Sequence, residues 1–143
     1  LVRLEEGMEK VLIIGCQKTM NEICVGCSRC MVGFNRREGT FALYEDEPAE
    51  LIGLLSCGGC PGQGIVMRLA QLKLWNTPLG EIPTTVHVAP CLANHCPYAA
   101  TLLAKIKAVA GVRVIEGAHP YSPVNVFAPA QAAKDAPSAP HAE

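Results

Sequence analysis

Short apolar runs alternate along this chain with longer stretches of helical spacing, and the alternation predicts an architecture. Val11-Leu12-Ile13-Ile14 is brief, rich in β-branched residues and wholly apolar, the pattern of a strand buried on both faces. Leu51–Leu55 reads the same way. Thr84–Ala89, held between Pro83 and Pro90, predicts a third strand. Val112–Ile115, between Gly111 and Gly117, predicts a fourth. From Gly64 to Trp75, Ile65, Val66, Leu69 and Leu72 share one helical face while Arg68, Gln71 and Lys73 fall off it. Leu102, Leu103, Ile106 and Val109 repeat that spacing, with Lys105 and Lys107 turned to water and Gly111 as the stop. Strand, helix, strand, helix, strand makes βαβ units. The expected fold is α/β: three layers, a small parallel sheet with flanking helices, flavodoxin- or Rossmann-like.

Two stretches read differently. Between Glu22 and Glu47 the pattern is weaker. A helix interrupted near Gly33 is expected over Cys24–Arg37, and a short extended piece over Thr40–Tyr44. From Ser122 onward the chain turns to Ala, Pro and polar residues, too poor in apolar area to repay the entropy of ordering. The expected organisation is thus one domain over residues 8–121, with Met8 a candidate start. An Ala/Pro-rich tail over 122–143 is expected to be disordered unless a partner holds it.

Composition narrows the function classes. The 143 residues amount to one domain. A net charge of −1 without a long basic run leaves no electrostatic footprint for nucleic acid or an anionic membrane. No stretch approaches the roughly 18–20 apolar residues of a membrane span, so no membrane insertion is expected. Leu1–Lys10 holds no apolar signal core, which makes cytoplasm the expected location. Thiols stay reduced there, and tend to bind metal or do redox chemistry.

The eight cysteines carry the chemistry. Cys16 follows the first strand, Cys57 and Cys60 the second, Cys91 and Cys96 the third, and His119 the fourth. In an open parallel sheet these positions share one edge, where ligands bind. The plainer alternative, cysteine as a small buried hydrophobe, suits Cys16 but fits poorly in loops rich in Gly and Pro. Cys57-Gly58-Gly59-Cys60-Pro61 is the sharpest motif. Its spacing lets both sulfurs meet one metal, while Gly58 and Gly59 let the backbone turn and present amides to a cofactor. The competing reading is a thiol–disulfide oxidoreductase using Cys57 and Cys60. That needs only two cysteines, and this edge supplies five.

Cys24-Val25-Gly26-Cys27-Ser28-Arg29-Cys30 forms a second cluster, three quarters of a ferredoxin-type run. Cys60-Pro61 and Cys96-Pro97 each supply a Cys-Pro from elsewhere. At least two of Cys24, Cys27 and Cys30 are expected as ligands. His95, beside Cys96, is read evenly as a ligand or as a donor that orients one. His87 is read as a satisfied core histidine. No nucleotide-binding or serine-hydrolase motif is present.

At Cys16-Gln17, Ser56-Cys57-Gly58-Gly59-Cys60-Pro61-Gly62, Cys91, Cys96-Pro97 and Glu116-Gly117-Ala118-His119 the sequence resembles the CGGC-domain family. That family, found mostly in anaerobic bacteria and archaea, is described as metal-binding from its own cysteines and histidines. The resemblance runs from Val11 to His119. It departs from the family at Tyr98, where a histidine commonly follows the second Cys-Pro, and in the dense Cys24-Cys27-Cys30 cluster. It implies metal at the thiols and an anaerobic setting.

The expectation is a thiolate-rich metal site built from Cys16, Cys24, Cys27, Cys30, Cys57, Cys60, Cys91, Cys96 and His119, with Gly58 and Gly59 against the cofactor. One or two iron–sulfur clusters of the 4Fe–4S kind, used in electron transfer or redox sensing with a redox protein partner, is the leading form. Zinc in a structural or binding role is the alternative.

Overall fold

The computed structural model of the chain describes residues 7–24 and 28–119. The expected tail over 122–143 and the proposed ligand Cys27 lie outside the described residues. Four strands form one sheet: β1 (Glu9–Gly15), β2 (Ala49–Ser56), β3 (Thr85–Val88) and β4 (Arg113–Glu116). Every pairing is parallel and the order is β2-β1-β3-β4. Five helices accompany it among the described residues: α1 (Gln17–Glu22), α2 (Ser28–Asn35), α3 (Ile65–Asn76), α4 (Pro90–Ala93) and α5 (Ala99–Ala110). Short 3-10 turns occupy Gly39–Tyr44 and Thr77–Leu79. This is the expected three-layer α/β fold.

The central strand shows why. Val11, Leu12, Ile13 and Ile14 point alternately to opposite faces, yet none is more than 1% exposed. Both faces of the sheet centre are therefore covered. On α3 and α5, Ile65, Leu69, Leu102 and Ile106 are buried, and the two helices pack on each other. The Lys73 ammonium donates to the Val109 carbonyl at 2.8 Å across that contact. Gly111, in the left-handed region at φ 69°, ends α5 as expected. No helix among the described residues is long and apolar enough to cross a membrane.

Just before the weakly patterned segment, Gln17–Glu22 is helical, although Gln-Lys-Thr-Met-Asn-Glu offers no apolar stripe and no element was expected there. The segment itself departs from expectation in two places. The predicted break at Gly33 is absent, and α2 runs through it. A side chain there would collide with His119, since a Cβ on Gly33 would lie 2.9 Å from the His119 Cβ. Thr40–Tyr44 is not extended but lies in a 3-10 turn, which puts Phe41 and Tyr44, three residues apart, on one buried side.

His87 is fully buried in β3 and hydrogen-bonded on both ring nitrogens. Nδ1 lies 2.9 Å from the Gly117 carbonyl, which can only accept, so Nδ1 carries the proton. Nε2 then accepts from the Tyr44 hydroxyl at 2.8 Å. The ring thus ties β3 to the end of β4 and to the 3-10 turn. Burial lowers its pKa, so the folded protein holds it neutral. As pH drops through about 6.5, the unfolded chain takes a proton that the folded one refuses, and stability falls. His87→Leu is expected to cost about 2–3 kcal/mol at neutral pH, because it strands the buried Tyr44 hydroxyl, and to flatten that acid dependence. Urea unfolding at pH 5 and pH 7.5 checks both.

Candidate metal centre

The sheet order determines which thiols meet. From β1 the chain crosses to β2 on one side, then back to β3 on the other, so the loops part above β1 and β3. Cys16 follows β1 directly and Cys57 follows β2. Gly15 pairs with Ser56, and the Cys57 amide donates to the Gly15 carbonyl at 2.9 Å, which holds Cys57 beside the end of β1. On the other flank the Ala89 amide donates to the Ile14 carbonyl at 2.9 Å and leads into Cys91, within α4.

Backbone amides already point at three of the sulfurs. The Cys16 N–H donates to Cys91 Sγ at 3.2 Å, and the Gln17 N–H to Cys57 Sγ at 3.5 Å. The Tyr98 N–H donates to Cys96 Sγ at 3.3 Å. Gln17 and Ser56 brace the same spot: the Ser56 hydroxyl donates to Gln17 Oε1 at 3.0 Å and accepts from the Gly58 N–H at 3.2 Å. Sequence reasoning assigned Gln17 and Ser56 no role. Their signal was their position, each next to a cysteine at a strand end.

The thiols also act on one another. Burial, then the neighbouring Cys57 and Cys16, push the Cys60 thiol above its ordinary pKa. Cys96 is raised by burial, with Cys16, Cys57 and Cys60 adding to the rise against the Tyr98 amide. Cys91 is pushed up to about 11, mainly by burial, with Cys16 and Cys24 contributing. Cys16, Cys57, Cys60 and Cys96 therefore share one neighbourhood, and Cys91 links it to Cys24. Cys60 is exposed, whereas Cys16, Cys57 and Cys91 are buried.

Beside this group lies an apolar cavity of about 30 Å³ lined by Cys24, Cys30, Cys91 and His119. His95 stands apart from that lining. Its Nε2 is buried without a hydrogen-bond partner among the described residues. Of the two motif glycines, Gly58 spends its N–H on Ser56 and lies against Gly64, while Gly59 faces open space apart from Gln17. As the side chains stand, no group of three or more His, Cys, Asp or Glu among the described residues has its donors arranged to hold an ion. The edge gathers the thiols, and the rotamers do not yet close on a metal.

The profile of the CGGC domain matches residues 10–119. An uncharacterized protein of Methanocaldococcus jannaschii is 39% identical over 94 residues, which cover 62% of this chain and 68% of that relative. No solved structure matches the chain.

Proposed function

The chain belongs to the CGGC-domain family, and on that footing we propose that it binds metal through the thiols at the carboxyl edge of its sheet, as an iron–sulfur centre that carries or senses electrons. The observation that carries this reading is the shared neighbourhood of Cys16, Cys57, Cys60 and Cys96, drawn from three strand ends. Four soft thiolates are the donor set of such clusters. The residues fit the group in a second respect. Amides aimed at Cys57 and Cys96 would stabilise negative sulfur, and N–H···S bonds of this kind tune cluster potential.

A bound cluster would supply one-electron redox chemistry. The chain's own part is to hold and shield it. Ser56 and Gln17 fix the turn around Cys57, and exposed Cys60 brings the site to the surface where a redox partner could dock. Cys27 remains a proposed ligand on its spacing alone. The dithiol reading at Cys57 and Cys60 stays the alternative, with Cys60 exposed to a disulfide partner and Cys57 buried behind it.

Iron, zinc and acid-labile sulfide should be measured on protein purified without oxygen, with a visible spectrum of the same sample. The expected result is iron and sulfide together with broad visible absorption. Colourless protein holding only zinc would overturn the iron–sulfur assignment and keep the metal. A metal-free, disulfide-exchanging protein would overturn both.

A further inference from the structure

We propose that the chain pairs with a second copy of itself along the open edge of β2 and the outer face of α3, joining two four-stranded sheets into one of eight strands. Among the described residues β2 has β1 on one side and no strand on the other. Its outer N–H and C=O groups are therefore a template for a further strand. Natural edges are usually kept short or interrupted by charge for this reason. β4, at the opposite edge, follows that rule: it is four residues long and begins and ends on Arg113 and Glu116. β2 does not. It is eight residues long, and Leu51–Ser56 holds neither charge nor proline. Ile52, skipped in the pairing with β1, is its one irregularity. Leu51, Ile52, Leu54 and Leu55 stay half-buried, where the apolar run of β1 is fully buried.

α3 continues this surface. Its stripe of Ile65 and Leu69 faces the core. A helix that meets the core on one side needs only one such stripe, yet α3 carries a second. Met67, Leu74 and Trp75 fall at i, i+7 and i+8, with Leu79 just beyond in the 3-10 turn, and each of the four is at least 68% exposed. Between helix and strand runs a groove of about 250 Å³, lined by Leu55, Arg68, Gln71, Leu72 and Trp75. The groove joins the strand edge and the outer stripe into one apolar patch.

Charge selects a second copy as the occupant. α3 runs back along β2, so its first turn lies at the carboxyl end of that strand. Arg68 there is exposed and forms none of the ion pairs among the described residues. Its Nε lies 3.3 Å from where a Cβ on Gly58 would sit. Glu45, Asp46 and Glu47, all exposed, precede the amino end of β2. The edge is thus basic at one end and acidic at the other. A two-fold axis through its middle sets two β2 strands antiparallel and brings each basic end against the partner's acidic end. With the strands fully overlapped, Glu47 falls opposite the partner's Gly58, beside the partner's Arg68. A parallel arrangement would set like charges together.

Trp75 is the chain's single tryptophan, so its fluorescence reports on this patch alone. The test follows the full chain, with reductant present so that no thiol bridge links copies, by analytical ultracentrifugation and by acrylamide quenching of Trp75 across a concentration series. The expected result is a reversible dimer of twice the 15.2 kDa chain mass, with quenching falling as the dimer forms. Leu74→Glu should weaken association by about 10-fold or more, and Met67→Lys gives the same reading should Leu74→Glu fail to fold. Arg68→Glu should weaken it by about 10-fold, and adding Glu47→Arg should restore it. A monomer would overturn the proposal: a shielded Trp75 would then mean that another part of this chain covers the patch, and a quenchable one would leave the patch to a different protein. A dimer in which Trp75 stays quenchable, or which Leu74→Glu and Arg68→Glu both leave intact, would overturn it too, by placing the interface elsewhere.

Discussion

Metal-free and metal-bound protein are expected to respond to pH in opposite senses. In the metal-free form, burial raises the Cys91 thiol from 9.0 to about 11. Below pH 9 the thiol is protonated in both folded and unfolded chains, and the shift has no effect. Above it, the unfolded chain gives up its proton while the folded one keeps it, so unfolding gains. The loss is complete near pH 11 and amounts to about 3 kcal/mol, at 1.36 kcal/mol per pH unit. Raised Cys60 and Cys96 push in the same direction. Against a typical total of about 5–15 kcal/mol, that is a large share. A bound ion reverses the sign. Its thiolates hold no protons in the folded state, so the unfolded chain binds more of them and stability falls as pH drops. Denaturant titrations from pH 6 to pH 10.5, with and without chelator, check this. Parallel curves would mean that Cys91 is not a ligand.

The strands and the two long helices were legible because their burial is simple. Val11–Ile14 is apolar at every position since both faces of β1 are covered, and α3 and α5 each bury one stripe against the sheet. The gathering of thiols was legible for a related reason. Parallel strands put every strand end on one edge, so Cys16, Cys57 and Cys91 had to meet once the sheet was correct. The segment between β1 and β2 was not legible, because its order rests on contacts far away in sequence. Gly33 reads as a helix breaker and is in fact the space that His119, from beyond β4, requires. Thr40–Tyr44 has strand-like composition, but Phe41 packs edge-on to Phe34 and Tyr44 reaches His87, which a three-residue period satisfies and an alternating one does not. The contacts of individual thiols were beyond spacing alone. Nothing local says that the Cys91 sulfur meets the Cys16 amide while the Cys57 sulfur meets the Gln17 amide.

The two central glycines of the Cys57–Cys60 turn look equivalent in sequence and are expected to differ sharply on substitution. Both have positive φ, 85° at Gly58 and 103° at Gly59, so alanine at either carries a strain of about 1–2 kcal/mol. At Gly59 that is nearly all, since the closest atom to an added Cβ is the flexible Gln17 Nε2 at 3.7 Å. At Gly58 the Cβ would lie 2.8 Å from the Gly64 Cα and 3.0 Å from its carbonyl carbon. Those are backbone atoms, and no rotamer change relieves them. Gly64 also accepts the first hydrogen bond of α3, from the Arg68 amide at 3.0 Å, so moving it frays the helix start. Gly58→Ala is therefore expected to cost about 3–5 kcal/mol, within the range for strained and overpacked sites, and to spread Cys57 from Cys60. Thermal melts of both metal-free variants give the stability order, and metal content in the as-purified proteins gives the second reading. If Gly59→Ala is mild in the melt but empties the site, the second glycine is where the backbone approaches the cofactor. If Gly58→Ala is the milder of the two, the turn does not rest on Gly64 and the bracing of Cys57 and Cys60 must come from Ser56 and Gln17 alone.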